Sequence, residues 1–236
     1  MKSFMAMAVV IAGLTGCASP EPAAPGVPVA GTILYKGERR AAKVLSMEAE
    51  EGCQKLHATP VTEEKIVVSA EGSLANAFVY IKKGLENRRF PPATEAVVLE
   101  QRGCQFVPRV LALRTGQTLA VKNADPVSHN VHPTPQANRD WNQQQPPGAP
   151  DLQRKFAAPE VMIPVKCNVH NWMRSYIGVM EHPYFAVTKA DGKFSWPDLP
   201  PGQYTLAVWH ESLGELTQEL TVAPGKPAAV TLEFRD

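Results

Sequence analysis

The chain has 236 residues, enough to bury a sizeable core as one large all-β unit or two small ones without help from a metal or a cross-link. Its 24 basic and 23 acidic side chains leave a formal net charge of +1, which excludes the basic footprint of a nucleic-acid partner. Length therefore explains none of the four cysteines, and each needs its own account.

The first stretch is a basic start at Met1-Lys2-Ser3, an apolar run from Phe4 to Leu14, and then Leu14-Thr15-Gly16-Cys17. The run is too short for a stable transmembrane helix and reads as a secretory signal. Leu14-Thr15-Gly16-Cys17 resembles a bacterial lipobox, which implies cleavage before Cys17, diacylglycerol on its sulfur and attachment to a membrane of the cell envelope, on the periplasmic side. An ordinary signal peptide with an incidental cysteine is the alternative. The segment 17–28, rich in proline and alanine, has little to bury and is expected to be an extended tether.

Val29 to Tyr35 is the first predicted strand, followed by candidates at 66–69, 77–82, 96–100, 106–113 and 118–123 with Gly and Pro turn signals between them. Strand-length runs at this spacing predict a β-sandwich or barrel. The span 133–150 has no useful periodicity and reads as a long loop with one aromatic, Trp141, either tucked onto the sandwich or left for a partner. Strands resume at 158–166 and 175–180. From His182 onward a compact antiparallel run begins, in which Tyr204, Leu206 and Val208, then Leu216, Leu220 and Val222, then Val230, Leu232 and Phe234 keep a period of two.

Two segments carry the chemistry. Cys167-Asn168-Val169-His170-Asn171-Trp172-Met173 places a thiol, an imidazole and a thioether in one short loop, and Ser128-His129-Asn130-Val131-His132 brings a second imidazole from another strand end. Two imidazoles and a thiolate with a weak thioether are the donors of a mononuclear copper site that accepts both Cu(I) and Cu(II). Zinc sites seldom recruit a thioether, so the set favours copper. His132, three residues beyond His129 on an extended chain, is expected to face away from the site.

His129-Asn130-Val131-His132 together with Cys167-Asn168-Val169-His170-Asn171-Trp172-Met173-Arg174 resembles the blue-copper cupredoxins, in the amicyanin-like form with the short Cys-x2-His-x2-Met spacing. The resemblance runs over roughly residues 96–181 and implies a Greek-key β-sandwich with one type 1 copper, His129, Cys167 and His170 as equatorial ligands and Met173 as the axial one. It also implies that Asn130 ties the two ligand loops by hydrogen bonds near the thiolate. Asp191-Gly192-Lys193-Phe194 with Leu199-Pro200-Pro201-Gly202-Gln203-Tyr204 resembles the carboxypeptidase regulatory-like, or transthyretin-like, β-sandwich, a non-catalytic module. The mature chain is similar to periplasmic methylamine-utilisation-like proteins that combine the two. In that group the segment after the cysteine at 104 often reads F/Y-x-P-H, where this chain has Phe106-Val107-Pro108-Arg109.

The expected organisation is therefore all-β: a signal at 1–16, a tether at 17–28, a cupredoxin-like unit at 29–181 and a small transthyretin-like sandwich at 182–236. Residues 29–37 also look like the opening strand of the second module, and either placement is open. With Cys17 assigned to lipid and Cys167 to the metal, Cys53 and Cys104 are left, in turn-like surroundings, and are predicted to form a disulfide closing a loop of about fifty residues. A second metal site using Cys53 and His57 is the competing reading. His182 and His210 read as turn or strand-end residues. The function expected is that of a lipid-anchored carrier of single electrons between redox proteins rather than an enzyme, with His170 on an exposed loop as the electron port beside Val169 and Trp172. The alternative is an envelope protein that stores copper or uses it structurally while the C-terminal sandwich binds glycan or protein.

Overall fold

The computed structural model describes residues 25–39 and 41–235. The predicted signal segment 1–16, Cys17 and the tether through residue 24 lie outside the described residues. In chain order the elements are β1 (Val27–Tyr35), a single helical turn α1 (Glu51–Gln54), β2 (Phe78–Lys83), β3 (Val97–Gln101), β4 (Phe106–Val107), β5 (Val110–Arg114), β6 (Leu119–Asn123), β7 (His129–Pro133) and β8 (Gln143–Gln145). They continue with β9 (Leu152–Arg154), β10 (Glu160–Lys166), β11 (Arg174–Met180), β12 (Phe185–Val187), β13 (Lys193–Leu199), β14 (Gly202–His210), β15 (Gly214–Val222) and β16 (Ala228–Phe234).

These strands build two sandwiches, so the all-β class read from the alternation is what the chain adopts. The first packs a sheet ordered β5-β11-β10-β7-β8 on one ordered β4-β3-β6-β9. Each contains one parallel pair, β5 with β11 and β3 with β6, among antiparallel ones. Between them lie Leu99, Leu113, Leu119, Val121, Phe156, Ile163, Val165 and Ile177. The second packs β13-β1-β16 on β12-β2-β14-β15.

The expected unit 29–181 is corrected at β2, and of the two placements open for residues 29–37 the strand pairing selects the C-terminal one. β1 lies between β13 and β16, antiparallel to the first and parallel to the second, so the opening strand is part of the C-terminal sandwich. Its inward residues Val29, Ile33 and Tyr35 meet Phe194, Trp196 and Phe234 there. β2 also belongs to that sandwich, between β12 and β14. Its run Phe78-Val79-Tyr80-Ile81 is buried on both faces, Val79 and Ile81 in the C-terminal core, Phe78 and Tyr80 against Val110, Met162 and Met180 of the first sandwich. A fully buried apolar side chain contributes roughly 1.5–3 kcal/mol, so β2 stabilises both halves at once and fixes one on the other. Arg109 joins the same seam through a two-pronged, mostly buried ion pair with Glu211.

Smaller departures follow from chemistry that periodicity does not register. The candidate at 106–113 is broken into β4 and β5 at Pro108, which has no N–H to offer a ladder. The stretch 66–69 forms only an isolated bridge, Val68 with Leu74. The long loop contains β8, three glutamines paired with β7. Trp141 packs at the edge of the first core under the guanidinium of Arg154.

Candidate metal centre

Strand register brings the two motif segments together. β10 and β11 form a hairpin in which Lys166 faces Arg174, and Cys167 to Met173 is the loop that closes it. The loop is pinned by its own backbone: Cys167 N donates to Met173 O at 3.4 Å and Met173 N to His170 O at 3.0 Å. β7 pairs with β10 on the other side, His132 opposite Lys166, which sets His129 beside the loop. Cys167, His170, Met173 and His129 are all buried.

The donor atoms converge. His129 Nδ1 and His170 Nδ1 are 2.9 Å apart and Cys167 Sγ is 3.8 Å from His170 Nδ1. One nitrogen of each histidine and the sulfur lie within 4.8 Å of one another. Met173 is buried in the same core cluster as Cys167. Two imidazole nitrogens at 2.9 Å need a proton between them, and the lone pairs that share it are the ones a metal ion would take in its place. A buried thiol and two converging Nδ1 atoms, with a methionine side chain in the same core cluster, fit a soft, copper-like ion by donor chemistry.

The electrostatics prepare the same atoms. Burial pushes the Cys167 thiol up, but His129 and the N–H groups of Asn130, His170 and Val169 outweigh it and hold the thiol below its ordinary value. Burial pushes His129 down, and its bonds to Asp125 and Cys167 more than reverse this. Asp125 is raised by burial, yet His129 and the N–H groups of Cys104 and Gly103 bring it below the usual carboxylate range. His170 is lowered, by burial first and by the charge of His129 second.

Asn130 accepts from Asn168 N at 2.6 Å and from Cys167 Sγ at 3.3 Å, while its amide donates to Asn142 Oδ1 at 2.5 Å. It therefore joins β7, the Cys167 loop and the segment before β8. Asp125 is the residue that sequence reasoning missed. Its Oδ2 accepts from His129 Nε2 at 2.8 Å and from Cys104 N at 2.8 Å, and its Oδ1 from Gly103 N at 2.6 Å. Gly103 and Cys104 both have positive φ, +62° and +52°, so their consecutive N–H groups turn toward one carboxylate. Fixing Nε2–H of His129 on Asp125 leaves Nδ1 as the nitrogen that points to Cys167.

Cys53 and Cys104 form a disulfide. His57 Nε2 donates to Gly103 O at 2.8 Å, so it braces the turn beside that bridge and is not joined to Cys53 as a second metal pair. His132 lies outside the cluster, with Nδ1 3.3 Å from Asn168 Oδ1 and Nε2 3.3 Å from Asp140. His182 and His210 are buried in strand and turn contacts away from it; His182 Nε2 bonds Ile81 O at 2.8 Å.

The expectation of an exposed electron port at His170 is corrected. His170 is only 2% exposed, because the α1 turn lies over it: Cys53 Sγ stands 3.6 Å and Glu50 Oε2 3.8 Å from its Nε2. Trp172 packs on the His170 ring at 5.2 Å and donates Nε1–H to Cys104 O at 2.9 Å, so it is a wall of the site. Of the three port residues, Val169 is the exposed one, at 55%.

A carboxypeptidase regulatory-like domain matches residues 179–235, from the end of β11 through β16. Among solved structures, a copper-containing nitrite reductase (NirK) from Thermus scotoductus SA-01 is similar at 19% identity and TM-score 0.34, over 42% of this chain and 25% of that one. This chain thus spans about a quarter of the reductase's length. A reduced Cu(I) form of a variant amicyanin at pH 4 is similar at 19% identity and TM-score 0.32, over 43% of this chain and 97% of that one. A second variant amicyanin with Cu(I) gives 19% identity and TM-score 0.32, over 36% and 81%. These neighbours, a copper-containing reductase and amicyanin variants, match at low identity and partial coverage. No curated protein matches the sequence.

Proposed function

We propose that the chain is a type 1 copper protein of the bacterial envelope that carries single electrons between redox protein partners, anchored to the membrane through lipid on Cys17. The observation that carries this reading is the convergence of His129 Nδ1, His170 Nδ1 and the Cys167 thiol in one buried cluster. His129, Cys167 and His170 would hold the ion, with Met173 as the weak fourth donor, and copper bound there supplies a one-electron couple. Asp125 keeps the proton of His129 on Nε2 and so leaves Nδ1 free to bind. Asn130 holds the Cys167 loop against β7, and its own N–H stabilises the thiolate. Ligands set on the ends of β7, β10 and β11 move little between oxidation states, which keeps the transfer fast. Four donors from the chain complete the site, and for that reason we propose a carrier and not an enzyme.

The cover over His170 favours a second reading, in which copper is stored or structural and the C-terminal sandwich makes the contact with glycan or protein. Voltammetry of the copper-loaded full chain separates the two. The carrier reading predicts a reversible one-electron couple with rapid self-exchange; tight copper binding without a reversible couple overturns it in favour of storage.

A further inference from the structure

His170 has two working edges. Its Nδ1 faces His129 and Cys167, and its Nε2 faces Cys53 Sγ at 3.6 Å. One imidazole ring is all that separates the proposed copper from the disulfide. Both sulfurs are closed off from solvent, Cys53 at 1% and Cys104 at 0% exposure. Asp125 couples the same two places a second time, since one carboxylate oxygen binds both His129 Nε2 and Cys104 N. Cys53, Cys104 and His170 form a compact cluster of their own, as do Cys104, Asp125 and His129.

A partner oxidase must reach a sulfur to exchange disulfides with it, and in the folded chain neither sulfur is open to one. The neighbour that leads from them to the proposed copper is His170, whose Nε2 stands 3.6 Å from Cys53 Sγ. We propose, resting on the copper reading above, that the metal site closes this disulfide itself: Cys53 and Cys104 in their dithiol form are oxidised through His170 by Cu(II).

Two S–H bonds break, one S–S bond forms, and two protons and two electrons leave. Each electron in turn reduces Cu(II) to Cu(I), and between the two steps, and after the second, Cu(I) is returned to Cu(II) by an external one-electron acceptor. The protons pass to solvent beside Glu50, whose carboxylate stands 3.8 Å from His170 Nε2 with 43% of its side chain exposed. The direction follows from the resistance of buried structural disulfides to reduction. The consequence is an ordered maturation. A chain that has taken up copper closes the bridge beneath the seated α1 turn, and a folded chain without copper keeps both thiols.

The experiment uses the full chain reduced by a phosphine, loaded with one equivalent of Cu(I), freed of reductant without air and titrated with ferricyanide. The dithiol form is expected to consume two equivalents before any visible copper band appears and to turn blue with the third, with Cys53 and Cys104 then protected from alkylation on peptide mapping. The disulfide form is expected to turn blue with the first equivalent. Metal-free dithiol protein under the same titration should keep both thiols alkylatable. A dithiol form that turns blue with the first equivalent and keeps both thiols, that holds no copper, or whose thiols vanish equally without metal, overturns the proposal. A disulfide form that never turns blue instead defeats the copper reading on which it stands.

Discussion

The two sandwiches bury opposite kinds of chemistry. Inside the C-terminal one lie Ile33, Val79, Phe194, Trp196, Tyr204, Leu206 and Phe234, a set of aliphatic and aromatic side chains. At the loop end of the first, Gln101, Asp125, His129, Asn130, Gln145, His170 and Cys167 are buried together, most of them tied to one another or to backbone. Burying polar groups costs free energy unless each is hydrogen-bonded. The first sandwich thus carries a feature that folding alone does not select, and the second is the apolar ballast that β2 locks beneath it.

The two halves are therefore expected to respond differently to damage. The largest effect is expected in the ballast: Phe234→Ala should cost about 3–5 kcal/mol in urea unfolding of the full chain and leave the visible band of the copper-loaded protein unshifted. A shifted band would mean that the two regions are not independent. Next comes pH. Burial pushes His182 and His210 from 6.5 down to about 4, so the fold holds both neutral. Between those values the unfolded chain binds more protons than the folded one. Stability is therefore complete above about pH 6.5 and falls toward pH 4, by roughly 2–4 kcal/mol for each histidine. His210→Phe should flatten this acid limb, measured by denaturant unfolding at a series of pH values. The smallest effect belongs to the site's support. Asp125→Asn keeps the shape and removes the charge behind His129, and should lower copper affinity 10–100-fold, about 1.4–2.7 kcal/mol, in competition with a chelator.

What could be read from the sequence divides along the same line. The alternation at Tyr204-Leu206-Val208 and Val230-Leu232-Phe234 names strands directly, because one face of each is apolar and buried. The loop from Cys167 to Met173 displays its donor types within seven residues, so its chemistry is visible before any fold is known. The pairing of Cys53 with Cys104 follows from counting cysteines. Asp125 was not legible, since an Asp-Pro turn looks the same whether its carboxylate meets water or a buried imidazole. β8 was hidden because Gln143-Gln144-Gln145 has no apolar face, although Gln145 is wholly buried and bonds Val121 O and Pro150 O through its amide. The cover over His170 depends on a contact between residues 117 apart in sequence, and no local pattern records it.

The most direct measurement is a copper titration of the full chain followed in the visible range. One equivalent of Cu(II) on the disulfide form should raise an intense thiolate-to-copper band that ascorbate removes and ferricyanide restores, and that is absent in Cys167→Ala while the far-ultraviolet β signature is kept. A copper-loaded chain that stays colourless, or a band that survives Cys167→Ala, contradicts the account.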